Sequence, residues 1–133
     1  EKKLLQKYIL ELGLRKNIEL KNWQKDLSIY FNKAKIFIST SLYEGMPNAL
    51  IESINHEIPS ISTDVSGVDD ILIKGKGGDI IKSFDEKIIA SKIHNILKNY
   101  KKSKLKALNS KKRIFRFYIQ NAGEEYMKKL ISN

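Results

Sequence analysis

Residues 35–56 read KIFISTSLYEGMPNALIESINH, and the folding of this run decides the architecture. KIFIST, residues 35–40, is an apolar, β-branched and aromatic run of the kind that forms a buried strand. ALIESI, residues 49–54, spaces Leu50, Ile51 and Ile54 at helical intervals. Pro47 suits the first helical position, where its missing N–H has no partner to lose, so a helix is expected over about residues 47–56. Between the two lie Glu44, Gly45, Met46, Pro47 and Asn48, with Glu52 one helical turn further on.

The alternation continues in both directions. Upstream, Leu4, Leu5, Tyr8, Ile9 and Leu12 recur at three and four residues and stop at Gly13, which predicts an amphipathic helix with a left-handed glycine cap. NIELK, residues 17–21, is a short strand candidate, and Leu27, Tyr30, Phe31 and Ala34 mark a second helix entered at Asp26. Downstream, PSISTD (59–64) and GGDIIK (77–82) are strands, with VSGVDDIL (65–72) as a loop or short helical turn between them. From Asp85 onward the pattern is helical. Ile89, Ile93, Ile96, Leu97 and Tyr100 make one face, and Phe115, Tyr118, Ala122, Tyr126 and Leu130 another. Strands alternating with helices predict an α/β domain, a parallel sheet with helices on both faces.

The chain has 133 residues, 41% of them hydrophobic, which is enough for one domain and one core. No apolar run approaches the about eighteen residues of a membrane span, and EKKLLQKY lacks the apolar centre of a signal peptide, so the chain reads as soluble and cytoplasmic. It has no cysteine and only two histidines, His56 and His94, which leaves out disulfides, thiol nucleophiles and most zinc sites. The net charge of +10 is uneven. Residues 1–97 hold 14 Lys and Arg against 13 Asp and Glu, whereas residues 98–133 hold 11 against 2. That basic tail suits an anionic membrane surface or a solvated helix face; no recognition motif of a nucleic-acid binder accompanies it.

In parallel α/β sheets ligands bind beyond the carboxyl ends of the strands, where Glu44 stands. The helix beginning near Pro47 offers unpaired N–H groups and a positive dipole end suited to phosphate, and Gly45 lets a ligand approach the backbone. Two carboxylates flanking an anion site, each able to bind a diol, fit a ligand with sugars at both ends of a diphosphate. Spacing alone also fits a plainer reading, in which Glu44 caps the helix and Glu52 is solvated.

The run S-x-x-E-G-x-P-N-x-x-x-E followed by I-P-x-I-S-T-D-x-x-G resembles the donor-binding signature of family 4 glycosyltransferases, retaining enzymes of the GT-B fold. LGLRKNIEL, DLSIYFNKAKIFIST, GGDII and the final helix resemble successive parts of that family's C-terminal, nucleotide-sugar-binding domain. The resemblance implies a Rossmann-like three-layer domain over residues 1–133, partial because its first two strands are missing, with residues 97–133 as its basic helical tail. It implies that Glu52 holds the ribose and Glu44 contacts the transferred sugar. The backbone amides of Gly45, Met46, Asn48 and Ala49 then hold the diphosphate of a UDP- or GDP-sugar donor, with no cofactor and no bound metal. Partners implied are the nucleotide-sugar, a cell-envelope glycan or lipid-linked acceptor, and a missing N-terminal domain of the same enzyme. An attachment at the inner face of the plasma membrane is a further expectation.

The sequence departs from the family where glycine usually precedes the apolar-Pro pair, since Glu57 stands there, and where Glu follows the next glycine, since Asp69 and Asp70 stand there. The Arg and Lys pair that usually neutralises the diphosphate is absent. In the strand order 3-2-1-4-5-6 only strands 3 to 6 are present, so residues 17–21 lack neighbours and a homodimer or rearranged edge is expected. A glycosidase fits poorly, because its carboxylates must flank one anomeric carbon about 5 to 9.5 Å apart. A non-catalytic nucleotide-sugar-binding module remains the alternative.

Overall fold

The computed structural model describes the backbone of residues 1–121 and the side chains through Phe115. Its elements, in chain order, are α1 (Lys2–Glu11), α2 (Ser28–Phe31), β1 (Phe37–Ser39), α3 (Asn48–Asn55), β2 (Ser60–Thr63), α4 (Val68–Ile71), β3 (Asp79–Ile81), α5 (Glu86–Lys98) and α6 (Tyr100–Asn121). The three strands form one parallel sheet in the order β1-β2-β3. Ile38 lies opposite Ile61, and Ser62 opposite Ile80. The α/β fold expected from the alternation is therefore present, with each strand shorter by a residue or more at its ends.

Side chains alternate across a strand, so a sheet with two apolar faces needs two sets of helices. One face carries Leu50, Ile51 and Ile54 of α3, Val68, Leu72 and Ile114, packed with Phe37 and Ile80. The other carries Ile61 and Ile81 under Ile96, with Ile36, Ile89 and Ile93 around them. All four residues of β2 are buried, as expected of a central strand. Each fully buried Leu or Ile contributes about 1.5–3 kcal/mol.

Local chemistry sets the ends of the elements. Gly13, at φ +67°, closes α1: its N–H reaches the Leu10 carbonyl at 3.0 Å and that of Leu14 reaches Ile9 at 2.9 Å. Asp85 caps α5 by accepting from the N–H groups of Lys87 and Ile88. Asp26, expected to cap α2, instead accepts from the Ser28 N–H at 2.8 Å in the turn ahead of it, and the N-cap position, Leu27, carries no side-chain cap.

Several expectations need correction. Residues 17–21 are not a strand: the N–H groups of Asn17 and Ile18 turn back to the Leu14 carbonyl at 2.9 and 3.1 Å, and Ile18 is exposed. A strand is stable only beside a partner, and the three described strands pair among themselves. The helical pattern from Asp85 onward forms two helices, divided at Asn99 (φ −112°, ψ 40°). Leu97 and Phe115 are exposed rather than packed inward. The side chain of Tyr118 and residues Ala122, Tyr126 and Leu130 lie outside what the structure describes.

Candidate functional site

The carboxyl ends of β1 and β2 open into two loops, residues 40–47 and 64–67, which meet beside the start of α3. Thr63, at the end of the central strand and buried, donates its hydroxyl to the Ser41 carbonyl at 2.6 Å. Ser41 in turn donates its own hydroxyl to Glu44 Oε1 at 2.7 Å, and Ser39 Oγ lies 3.4 Å from Ser41 Oγ. Glu44 is thus half-buried and braced at the lip of β1. It does not cap α3, whose N-terminus carries no side-chain cap and is set by Pro47 at φ −79°, ψ 68°. The capping alternative therefore falls away.

The N–H of Asn48 is engaged by the Met46 carbonyl at 2.9 Å. Among the described residues, the N–H groups of Gly45, Met46 and Ala49 have no acceptor. They cluster at the positive end of the α3 dipole, where unpaired donors favour an anion. Gly45, Met46 and Pro47 line a cleft of about 280 Å³ together with Gly67, Asp70, Ile71 and Arg113.

Glu52 is exposed and faces a different space, a cleft of about 560 Å³ shared with Trp23, Gln24, Asp26, Asn55 and His56. Ser28, through its side chain first and its backbone N–H second, holds the Asp26 carboxyl below its ordinary value. His56 stacks on Phe31 with ring centroids 5.3 Å apart, and its Nδ1 lies 3.0 Å from Asn32 Oδ1. That imidazole is a fixed wall of the cleft.

All six residues singled out in the sequence therefore lie on the β1 to α3 segment, but they serve two spaces. Glu44 and the amides belong to the strand end and the helix start; Glu52 belongs to the cleft under residues 23–28. Sequence reasoning missed Trp23 and Gln24, because they follow a run read as a strand. The only tryptophan of the chain, 84% exposed in a polar segment, was the available signal. It also missed Arg113, hidden among the lysines of the tail.

The sequence matches the glycosyl transferases group 1 family model over residues 1–113. It is 30% identical over 98 residues to the capsular polysaccharide biosynthesis glycosyltransferase CapM of Staphylococcus aureus, covering 74% of this chain and 26% of that protein. It is 30% identical over 105 residues to the Campylobacter jejuni GalNAc-alpha-(1->4)-GalNAc-alpha-(1->3)-diNAcBac-PP-undecaprenol alpha-1,4-N-acetyl-D-galactosaminyltransferase, covering 78% of this chain and 29% of that protein. The fold superposes on Anabaena HepE, whose structure holds UDP and glucose, with a TM-score of 0.82 at 18% identity, over 98% of this chain and 36% of that one. The chain thus spans well under half the length of each of these three proteins.

Proposed function

We propose, for a chain that belongs to the glycosyl transferases group 1 family, that the segment from Ser41 to His56 is the donor site of a retaining glycosyltransferase using a UDP- or GDP-sugar. The observation that carries this reading is the division of the segment. Amides without acceptors stand at the start of α3, a braced carboxylate lies at the strand end, and a second carboxylate lies in a separate, larger cleft with an exposed tryptophan. A nucleotide-sugar has the same three parts.

In this reading the N–H groups of Gly45, Met46 and Ala49 receive the diphosphate, and the α3 dipole stabilises the charge that grows on it as the glycosidic bond to the nucleotide breaks. Glu44 holds hydroxyls of the transferred sugar. Glu52 accepts hydrogen bonds from the ribose, and the indole of Trp23 offers an apolar plane to the base. The acceptor is a cell-envelope glycan or a lipid-linked precursor, which agrees with the names of the two relatives, and is held by a further domain of the same enzyme. The exposed Lys101, Lys102, Lys104 and Lys112 of α6 favour work against an anionic membrane face. The second reading, a module that binds donor without transferring it, is favoured for the isolated chain by the small share of its relatives that it spans.

Calorimetric titration of UDP and GDP tests the reading. Glu52→Ala should weaken the preferred nucleotide by about 1–3 kcal/mol, the scale of a lost hydrogen bond to a charged group. Glu44→Ala should spare the nucleotide and weaken only the nucleotide-sugar. Equal losses in the two variants, or no binding of either nucleotide by the wild type, would sink the assignment.

A further inference from the structure

Glu44 occupies a loop that does little else to hold it. Its neighbours Leu42 and Tyr43 are 82% and 85% exposed, and Met46 is 53% exposed. A glutamate there has three rotatable torsions, and ordering it costs side-chain entropy. The described hydrogen bond to its carboxylate comes from Ser41 Oγ, at 2.7 Å. Ser41 is not itself left to the loop, because its carbonyl accepts from Thr63 Oγ1 at 2.6 Å. Thr63 is 3% exposed and belongs to β2, the middle strand, where it lies opposite Ile81 of β3.

We infer that Ser41 and Thr63 are positioning residues for the donor sugar: a hydroxyl relay, anchored in the central strand, that fixes the carboxylate of Glu44. This rests on the donor-site reading above and deepens it. The direction of the relay follows from proton counting. An ionised carboxylate only accepts, so Ser41 must give its hydroxyl proton to Oε1. The Ser39 hydroxyl, 3.4 Å from Ser41 Oγ, is then left as the donor of that pair. Ser41 takes up one acceptor site of the carboxylate and sets its plane, and Oε2 is left to meet sugar hydroxyls from one defined direction. A carboxylate that rotated freely would bind the same hydroxyls, but would lose entropy in doing so. Thr63 acts one step removed, by fixing the Ser41 backbone from which the hydroxyl projects.

Two measurements on the full chain test this. The first needs no ligand: side-chain carbon couplings of Glu44, by NMR, should report one dominant rotamer in the wild type and averaging in Ser41→Ala and Thr63→Val, with order restored in Ser41→Thr and Thr63→Ser. The second compares dissociation constants for UDP with UDP-glucose and for GDP with GDP-mannose. Ser41→Ala should weaken the bound nucleotide-sugar by about tenfold while moving its nucleoside diphosphate less than about twofold, the scale of one charge-assisted hydrogen bond. Thr63→Val should have the same sign with a smaller loss, and the two conservative variants should recover. If Ser41→Ala leaves Glu44 as ordered as in the wild type, the relay is refuted. If order is lost but sugar and nucleotide affinities fall together, or neither falls, the relay is only structural and the inference is overturned while the donor site stands. If the wild type binds neither nucleotide, the donor reading fails and the sugar-positioning role with it; the rotamer data then decide only whether the relay holds Glu44.

Discussion

Glu57 closes α3 at φ +58°, with its N–H on the Ile54 carbonyl at 2.9 Å and that of Ile58 on Ser53 at 3.1 Å. This is the turn that Gly13 makes after α1 without cost, whereas a residue with a Cβ gives up about 1–2 kcal/mol there. The side chain returns part of that, since Lys111 Nζ donates to Glu57 Oε1 at 2.9 Å. The same hydrogen bond, and then the Lys111 charge, hold the Glu57 carboxyl below its ordinary value of 4.5. A carboxyl depressed in the fold stabilises it above the unfolded value and loses that contribution as pH falls through the folded one. Glu57→Gln should therefore cost about 0.5 kcal/mol near neutral pH, a small figure because the pair is more than a third exposed, and nothing once both states are protonated. Urea unfolding of both proteins at a series of pH values reads this directly; a gap that stays constant into acid would refute the ion pair as its source. At this scale part of the candidate site was legible: the spacing of Glu44 and Glu52 around a glycine and a proline singled them out, and the resemblance to family 4 glycosyltransferases gave them their expected roles. Ser41 and Thr63 were not, because nothing in a run of serines and threonines says which hydroxyl reaches which partner.

The three observed strands and the helix after Pro47 were legible because buried strands and amphipathic helices leave distinct periods in sequence. The strand expected at residues 17–21 was not there, since a four- or five-residue apolar alternation has no meaning without a neighbour to pair with. The seat of α6 was also hidden. It packs through Ser103, Ala107, Ser110 and Ile114, all buried, and three of these four are too small or polar to mark a hydrophobic face. Small residues there let the helix lie close to the end of α4, where Ser110 Oγ donates to the Ile71 carbonyl at 2.9 Å, and to the loop before β3. Gly77 is what allows this approach: a Cβ on it would stand 1.6 Å from Ser110 Oγ and 2.8 Å from Ser110 Cβ. Gly77→Ala should therefore lower stability by about 1–3 kcal/mol, the usual cost of overpacking. The double variant with Ser110→Ala should recover part of that, because the nearer obstruction is gone. Strictly additive losses in thermal or urea unfolding would mean that the two residues do not meet.

Across the whole molecule the charge is sorted by position, and the fold shows which part of it is spent. Lys106 lies 3.6 Å from Asp79 and Lys111 2.9 Å from Glu57, so these two tie α6 to the body of the domain. Lys101, Lys102, Lys104 and Lys112 are exposed on the same helix. No described helix is long and apolar enough to cross a membrane. Each exposed lysine near an anionic leaflet contributes on the order of 1 kcal/mol, screened over about 8 Å at physiological salt. Binding to liposomes should accordingly require anionic lipid, fall steeply with ionic strength, and drop when Lys101, Lys102, Lys104 and Lys112 are changed together to Gln. Lys106 must be left in place, because removing it would strand Asp79 and confuse loss of fold with loss of charge. Nucleotide affinity should be unchanged in the fourfold variant, since none of the four lines either cleft. Attachment that persists on neutral liposomes at high salt, or that ignores the four substitutions, would leave those lysines as a solvated helix face and remove the membrane from the functional reading, with the donor site untouched.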